Sequence, residues 1–238
     1  MIRRDLFMKL ALLSSGGKDS LLAAYRVVKE GHKLVCFVSI LPERSNSWMF
    51  HVPNVSLTKL HAEAMGLPHI LEVSSGVKER ELADLVRALE KARDIYGAEG
   101  VVSGAIASRY QKERVDNICS NLGLISCAPL WGQDQLALLN EVIESGFEVI
   151  FVGVYAMGMD SSWLGRKLTY EMIKKLVQLN KLYGISLSGE GGEYETLVLD
   201  MPLFKKRMRI LRSEVKWFKS WGILEVKEAI LEEKCVLH

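Results

Sequence analysis

Paired cysteines are absent from this sequence. Its four cysteines are Cys36, Cys119, Cys127 and Cys235, and no two form a C-x-x-C pair. Metal centres and iron–sulfur clusters usually draw ligands from such pairs, so four reduced thiols are expected. Long apolar runs are missing too. No stretch reaches the roughly 18 residues of a membrane helix. The opening MIRRDLFMKLALL is basic and then apolar, but its apolar part is too short for a signal peptide and leads into glycines. It reads as a core strand, and a cytoplasmic protein with no membrane partner is expected. An excess of charge of one sign is also lacking. Lys plus Arg is 31 and Asp plus Glu is 29, a net charge of +2. No global basic field for nucleic acid follows, although local patches stay open. Internal repeats and low-complexity tails are not seen.

What is present is an ordinary globular composition, 49% hydrophobic and 25% charged over 238 residues. Short apolar runs at 9–14, 34–40, 69–73, 100–105 and in LISCAPL read as buried strands. Helical periodicity separates them at 19–30, 55–65, 78–96 and 108–122, with LPERSNSWMFHVPN as a long loop. Leu21 and Ala24, Leu85 and Leu89, and Val115 and Cys119 mark inward stripes. Repeated β-α units with apolar strands predict an α/β fold with a doubly wound parallel sheet. The ligand should lie beyond the carboxyl ends of the strands, at the switch point. After Pro129 the rhythm changes. Helices at 133–145 and 169–183, the latter with Met172, Ile173, Leu176, Leu179 and Tyr183 inward, flank a strand at 147–156. Alternating residues at 206–219 and 223–231 predict an antiparallel hairpin. A nucleotide-binding domain over 1–130 and a smaller α+β substrate domain over 131–238 are expected.

The first strand runs into Ser14-Ser15-Gly16-Gly17-Lys18-Asp19-Ser20 and then a helix. Such a junction points backbone N–H groups at an anion, aided by the helix dipole. Gly16 and Gly17 allow close approach, Ser14, Ser15 and Ser20 offer hydroxyl donors, and Lys18 adds a charge. Asp19 caps the helix or helps hold Mg²⁺. The Walker pattern fails at Leu12 and at Asp19, and the dinucleotide pattern fails because the glycines are adjacent. S-G-G-x-D-S instead matches the PP-loop of ATP pyrophosphatases, which cleave ATP between the α and β phosphates. Ser39, Ser103 and Gly104, near the ends of the second and fourth strands, join the expected ATP-binding set. Arg109, Tyr110, Gln111 and Arg114 follow on a helix facing the same crevice, where they could bind phosphate or carboxylate. A solvated helix face is the plainer reading of that stretch alone.

The stretch SGEGGEYETLVLDMPLF is the most unusual. Glu190, Glu193 and Glu195 crowd two glycines, with Tyr194 and Thr196 interleaved. Carboxylates this close call for a cation, either Mg²⁺ or an organic one. Together with SGAIASRYQKERVDNICSNLGL and APLWGQD, these motifs resemble the diphthine–ammonia ligase family of PP-loop enzymes. The resemblance runs from residue 14 to residue 204. It implies amidation of diphthine on translation elongation factor 2 with ATP, Mg²⁺ and ammonium, through an acyl adenylate. Lys18, Asp19 and Glu193 would then be catalytic. Glu190, Glu193, Tyr194, Glu195 and Thr196 would meet a substrate that carries a quaternary cation beside its carboxylate. No glutaminase segment with a nucleophilic cysteine is recognisable, so free ammonium is the expected nitrogen source. Two rivals remain, a tRNA-modifying PP-loop enzyme using the basic stretch 205–219, and an ATP-binding regulatory module. A homo-oligomer is compatible with every one of these readings.

Overall fold

The computed structural model describes residues 7–42, 54–74 and 78–234. Strand β1 (Lys9–Leu13), helix α1 (Lys18–Lys29), β2 (Lys33–Pro42), α2 (Thr58–Met65) and β3 (His69–Ser74) open the chain. Helix α3 (Lys78–Tyr96), β4 (Gly100–Val102), α4 (Arg109–Leu122) and β5 (Ile125–Cys127) complete the first half. The strands form a parallel sheet in the order β3-β2-β1-β4-β5. The chain therefore reverses direction of winding between β1 and β4, which makes the loops after these two strands neighbours. Strand alternation sends Leu10 and Leu12 to one core and Ala11 to the other. Both faces are covered, as apolar parallel strands require.

The second half adds α5 (Gln135–Glu144), β6 (Glu148–Val154), α6 (Tyr170–Tyr183), β7 (Tyr194–Asp200), β8 (Lys206–Phe218) and β9 (Trp221–Glu233). Its strands form an antiparallel sheet in the order β7-β6-β9-β8. Leu10, Leu12, Phe37, Phe151, Leu176 and Phe204 lie in one continuous core, so the two sheets share their apolar interior. Among the described residues no helix is long and apolar enough to cross a membrane.

Several boundaries differ from the sequence reading for local reasons. The run at 55–65 begins as a 3-10 turn over Val55–Leu57, and the α-helix starts at Thr58. The fourth strand stops at Val102 rather than at 105, because Gly104 turns to press against α1. The second arm of the last hairpin is longer than expected, Trp221–Glu233, while the first ends one residue early at Phe218, leaving a turn of two residues, Lys219 and Ser220. Tyr183, expected inward, sits in the last turn of α6 and is 49% exposed. Most of the long loop read over 41–54, including Trp48 and His51, lies outside the described residues.

Candidate active site

The loop after β1 is fixed from every side. Gly16 N–H donates to Ser14 Oγ (3.0 Å), and Ser14 Oγ lies 2.6 Å from Ser20 Oγ. Gly16 adopts φ +87°, and a Cβ there would sit 2.6 Å from His61 Cε1. His61 is fully buried, which pushes its imidazole down to about 4. Its Nε2–H donates to the Val198 carbonyl (2.7 Å), and Val198 N–H donates to the Gly16 carbonyl (3.1 Å). Loop, α2 and β7 thus form one hydrogen-bonded circuit. Ser39 is also fully buried, behind the loop, and its hydroxyl donates to the Ser14 carbonyl (3.0 Å).

Gly104, after β4, meets the start of α1 backbone to backbone. A Cβ there would lie 2.6 Å from the Asp19 carbonyl carbon and 2.7 Å from Ser20 Cα, with the Ser20 nitrogen closer still. No flexible side chain can give way, so Gly104→Ala must displace the phosphate loop. A loss of about 1–3 kcal/mol is expected, as for other overpacked sites, together with weakened ATP binding. Denaturant titration and nucleotide titration of the variant check both.

Lys18 does not point at solvent. The residue is 2% exposed, and its Nζ donates to the Ser188 carbonyl (2.5 Å) and to Asp19 Oδ2 (2.9 Å). Its ammonium also lies 4.9 Å from the centre of the Tyr194 ring. Burial pulls the Lys18 pKa down, but the Asp19 and Tyr194 partners outweigh it and hold it above the ordinary lysine value. The backbone joins the two halves as well, since Lys18 N–H donates to Thr196 Oγ1 (3.2 Å). Helix α1 has Gly17 at its cap position with no side-chain cap, so Asp19 pairs with Lys18 instead of capping.

The acidic stretch divides its carboxylates among three tasks. Glu190 accepts from the Ile106 and Ala107 N–H groups (2.8 and 2.5 Å), clamping the loop between β4 and α4. Glu193 accepts from Ser186 N–H (2.7 Å), while its other oxygen is buried without a partner. Glu195 faces the cavity. Burial pushes its carboxyl up to about 8, with Lys18 opposing and Asp19 adding to the rise. Tyr194 is 2% exposed, and its hydroxyl donates to the Leu187 carbonyl (2.6 Å).

These groups enclose a cavity of about 440 Å³ between the two sheets. Ser14, Ser15, Gly17, Lys18, Asp19 and Ser20 line one side. Ser103, Gly104 and Gln111 line a second, and Glu190, Tyr194, Glu195 and Thr196 a third. Gly16, Ser39 and Glu193 stand behind that lining. Arg109 is exposed outside it, and Arg114 folds back to place its guanidinium 3.3 Å from the Tyr110 ring centre. The sequence reading passed over Ser188 and Gly189, which also line the cavity, and Gln135, whose side chain accepts from Ser188 N–H and Ser186 Oγ (3.1 Å each). Ser188 and Gly189 open the acidic stretch SGEGGEYET itself, and that was the available signal.

The cavity suits a nucleotide. A helix N-terminus leaves its first amides without intrahelical acceptors, and here they open toward the switch point. Asp19 is the loop carboxylate with access to it, its side chain 28% exposed. Magnesium bound with a triphosphate needs only one or two protein carboxylates, so this donor set fits. Among the described residues, no group of three His, Cys, Asp or Glu side chains is placed to hold a metal ion by itself.

A parallel sheet with a Gly-Gly anion loop at its switch point, faced by an acidic strand from a second sheet, defines an α/β protein of the PP-loop type. A family model for the diphthamide synthase N-terminal domain matches residues 8–126, and one for the diphthamide synthase C-terminal domain matches residues 134–231. The chain belongs to the diphthamide synthase family. The rat protein named diphthine–ammonia ligase is 38% identical over 226 residues, covering 87% of this chain and 84% of the relative. A fission yeast protein of the same name is 37% identical over 244 residues, covering 95% of this chain but 40% of the relative. A solved structure titled as a predicted subunit of a tRNA methyltransferase from Methanocaldococcus jannaschii aligns with TM-score 0.41 and 16% identity, covering 82% of this chain and 98% of that one. That likeness is too loose to bear on function.

Proposed function

We propose that this protein amidates diphthine on translation elongation factor 2, using ATP and ammonium. The observation that carries the reading is the match of both halves to the diphthamide synthase domains, with SSGGKDS and GEGGEYET facing each other across one cavity. Residues 1–130 would bind ATP and residues 131–238 would present the acceptor. A substrate carboxylate oxygen attacks the α-phosphorus, and the bond from that phosphorus to the α,β-bridging oxygen breaks. Pyrophosphate leaves with that bonding pair. Ammonia nitrogen then attacks the acyl carbon, the bond from carbon to the AMP oxygen breaks, and the nitrogen loses a proton.

The chain's own groups divide the work. The Ser15, Gly17 and Asp19 amides and the Ser15 hydroxyl hold the departing phosphates, while Ser14 and Ser20 brace the loop from within. Lys18 supplies fixed positive charge from below the loop. Asp19 would hold Mg²⁺, which neutralises phosphate charge when bound. Gln111, Ser103 and Gly104 position the nucleotide or the acceptor. Glu195, the carboxylate of the acidic stretch that faces the cavity, is assigned to the trimethylammonium group. Glu193 is assigned to holding the turn. Products distinguish this chemistry from γ-phosphoryl transfer. AMP and pyrophosphate in equal amounts are expected, and ADP with inorganic phosphate would overturn the mechanism.

The tRNA reading gains nothing from the cysteines and loses much of its one support, the basic stretch 205–219. Cys36, Cys119 and Cys127 are buried, and burial pushes their thiols up to about 12, 12 and 11. The basic run of β8 is largely neutralised by β9, through the pairs Lys206–Glu233, Arg209–Glu232 and Lys216–Glu225.

A further inference from the structure

The hairpin of β8 and β9 is the most exposed regular element of the chain. Phe218 and Trp221, a cross-strand pair on one face beside its turn, are 45% and 38% exposed, and Val215 and Trp217, on the opposite face, are 47% and 38% exposed. Scattered apolar residues need no explanation, but a contiguous group of large ones marks an interaction site. Phe218, Trp221 and the Tyr155 ring form such a group. Phe218 stacks on Trp221 with ring centres 4.3 Å apart, and Trp221 stacks on Tyr155 at 5.8 Å. The Trp217 ring lies across Gly222, the residue beside Trp221 on β9.

Sheet register sets this group next to the cavity. Glu195 pairs across to Gly153, Gly153 to Ile223, and Ile223 to Lys216. The neighbouring row is Tyr194, Val154, Gly222 and Trp217. Strands lie about 4.8 Å apart, so the aromatic group begins about 10 Å from the strand that carries Glu195. Tyr155 bridges the gap. Its N–H donates to the Glu193 carbonyl (2.9 Å), and its ring meets Trp221.

The charges around the group exclude one kind of partner. Besides the pairs named above, Arg207 is bound to Glu148 and Glu232, and Lys227 to Glu214 and Glu225. Among the described residues, Arg212 and Lys219 are the cations of β8 and its turn without a carboxylate partner. Two such cations give little attraction for a polyanion. An exposed aromatic cluster is the usual make-up of a protein-binding hot spot. A side chain borne on a folded protein must also be steered into a cavity that loop and strand enclose on three sides.

The geometry points to the turn end of this hairpin as the docking surface for the protein substrate. It grips the folded factor beside its modified histidine and aims that side chain at Glu195. The matching surface is apolar with at least one carboxylate, to meet Lys219. That the factor is elongation factor 2 rests on the amidation reading.

The test uses the full chain with Phe218→Ser/Trp221→Ser, and separately Lys219→Glu, at an exposed position of the turn itself. Binding of diphthine-bearing elongation factor 2 is measured in the presence of ATP and absence of ammonium, and turnover is measured with ammonium. Both variants should raise KM for the factor at least tenfold and weaken its binding equally. Melting temperature, ATP affinity and kcat should stay within twofold or a few degrees of the parent. Wild-type KM and binding in both variants would overturn the docking surface. So would loss of tRNA binding with the factor unaffected, or absence of factor binding by the wild type. The two readings fail separately. Hairpin-dependent binding without amide formation removes the amidation reading alone, and amidation indifferent to the variants removes the docking surface alone.

Discussion

Replacing Lys18 with alanine is expected to cost about 3–5 kcal/mol of stability and to end turnover. The ammonium is buried, and three partners are arranged around it: the Ser188 carbonyl, the Asp19 carboxylate and the Tyr194 ring. Removing it leaves Asp19 without its counter-charge, the Ser188 carbonyl without that donor, and a void where a large, fully buried side chain stood. For a chain of this size the loss corresponds to a fall in Tm of roughly 6–20 °C. Lys18→Arg should not rescue, because a planar fork cannot replace a compact ammonium pointed at one carbonyl. Turnover should be absent even at temperatures where the variant is folded, since Lys18 ties the phosphate loop to the stretch opposite. Paired denaturation curves and AMP release check the two effects. A change under about 1 kcal/mol would mean that the contact from Lys18 to Ser188 is not part of the folded state.

The second large effect is one of pH. Glu195 is neutral in the folded chain up to about pH 8, whereas an ordinary glutamate titrates near 4.5. Between those values the folded state binds a proton that the unfolded state does not. Stability from this group is therefore complete below pH 4.5 and declines as pH rises through 8, by about 1.4 kcal/mol per unit at most. Glu195→Gln keeps the neutral shape and removes the slope. The variant should match the parent at pH 4.5 and exceed it by several kcal/mol at pH 8.5, with about 5 kcal/mol as the ceiling. Urea midpoints across that range measure it. Parallel profiles for the two proteins would show that Glu195 is already ionised in the cavity. The same substitution should weaken acceptor binding, because a bound quaternary cation would favour the ionised Glu195 carboxylate and Gln has no ionised form. Greater stability bought with poorer binding is the usual signature of a functional carboxylate.

Much of this was visible in the sequence. Apolar runs alternating with helical stripes gave the parallel sheet, and two failed consensus patterns gave the loop its class. The helix at 78–96 agrees residue for residue with the structure. What was hidden depended on contacts between distant residues. Lys18 looks like a phosphate ligand until Ser188, far along the chain, takes its Nζ. Glu193 and Glu195 are chemically equal in the sequence, and only the start of β7 at Tyr194 sends one toward Ser186 and the other toward the cavity. Ser39 lies at the right height in the sheet, but its hydroxyl is spent on the Ser14 carbonyl. The basic run 205–219 resembled a nucleic-acid patch because its counter-charges lie on the next strand, brought opposite by the hairpin register.

The most direct measurement combines the full chain with diphthine-bearing elongation factor 2, ATP and ammonium enriched in heavy nitrogen. Mass spectrometry then reads the modified histidine. Conversion of its carboxylate to an amide carrying the heavy nitrogen, one AMP released per amide, is the expected result. An unchanged carboxylate, from a folded protein that binds both ATP and the factor, would contradict the amidation reading.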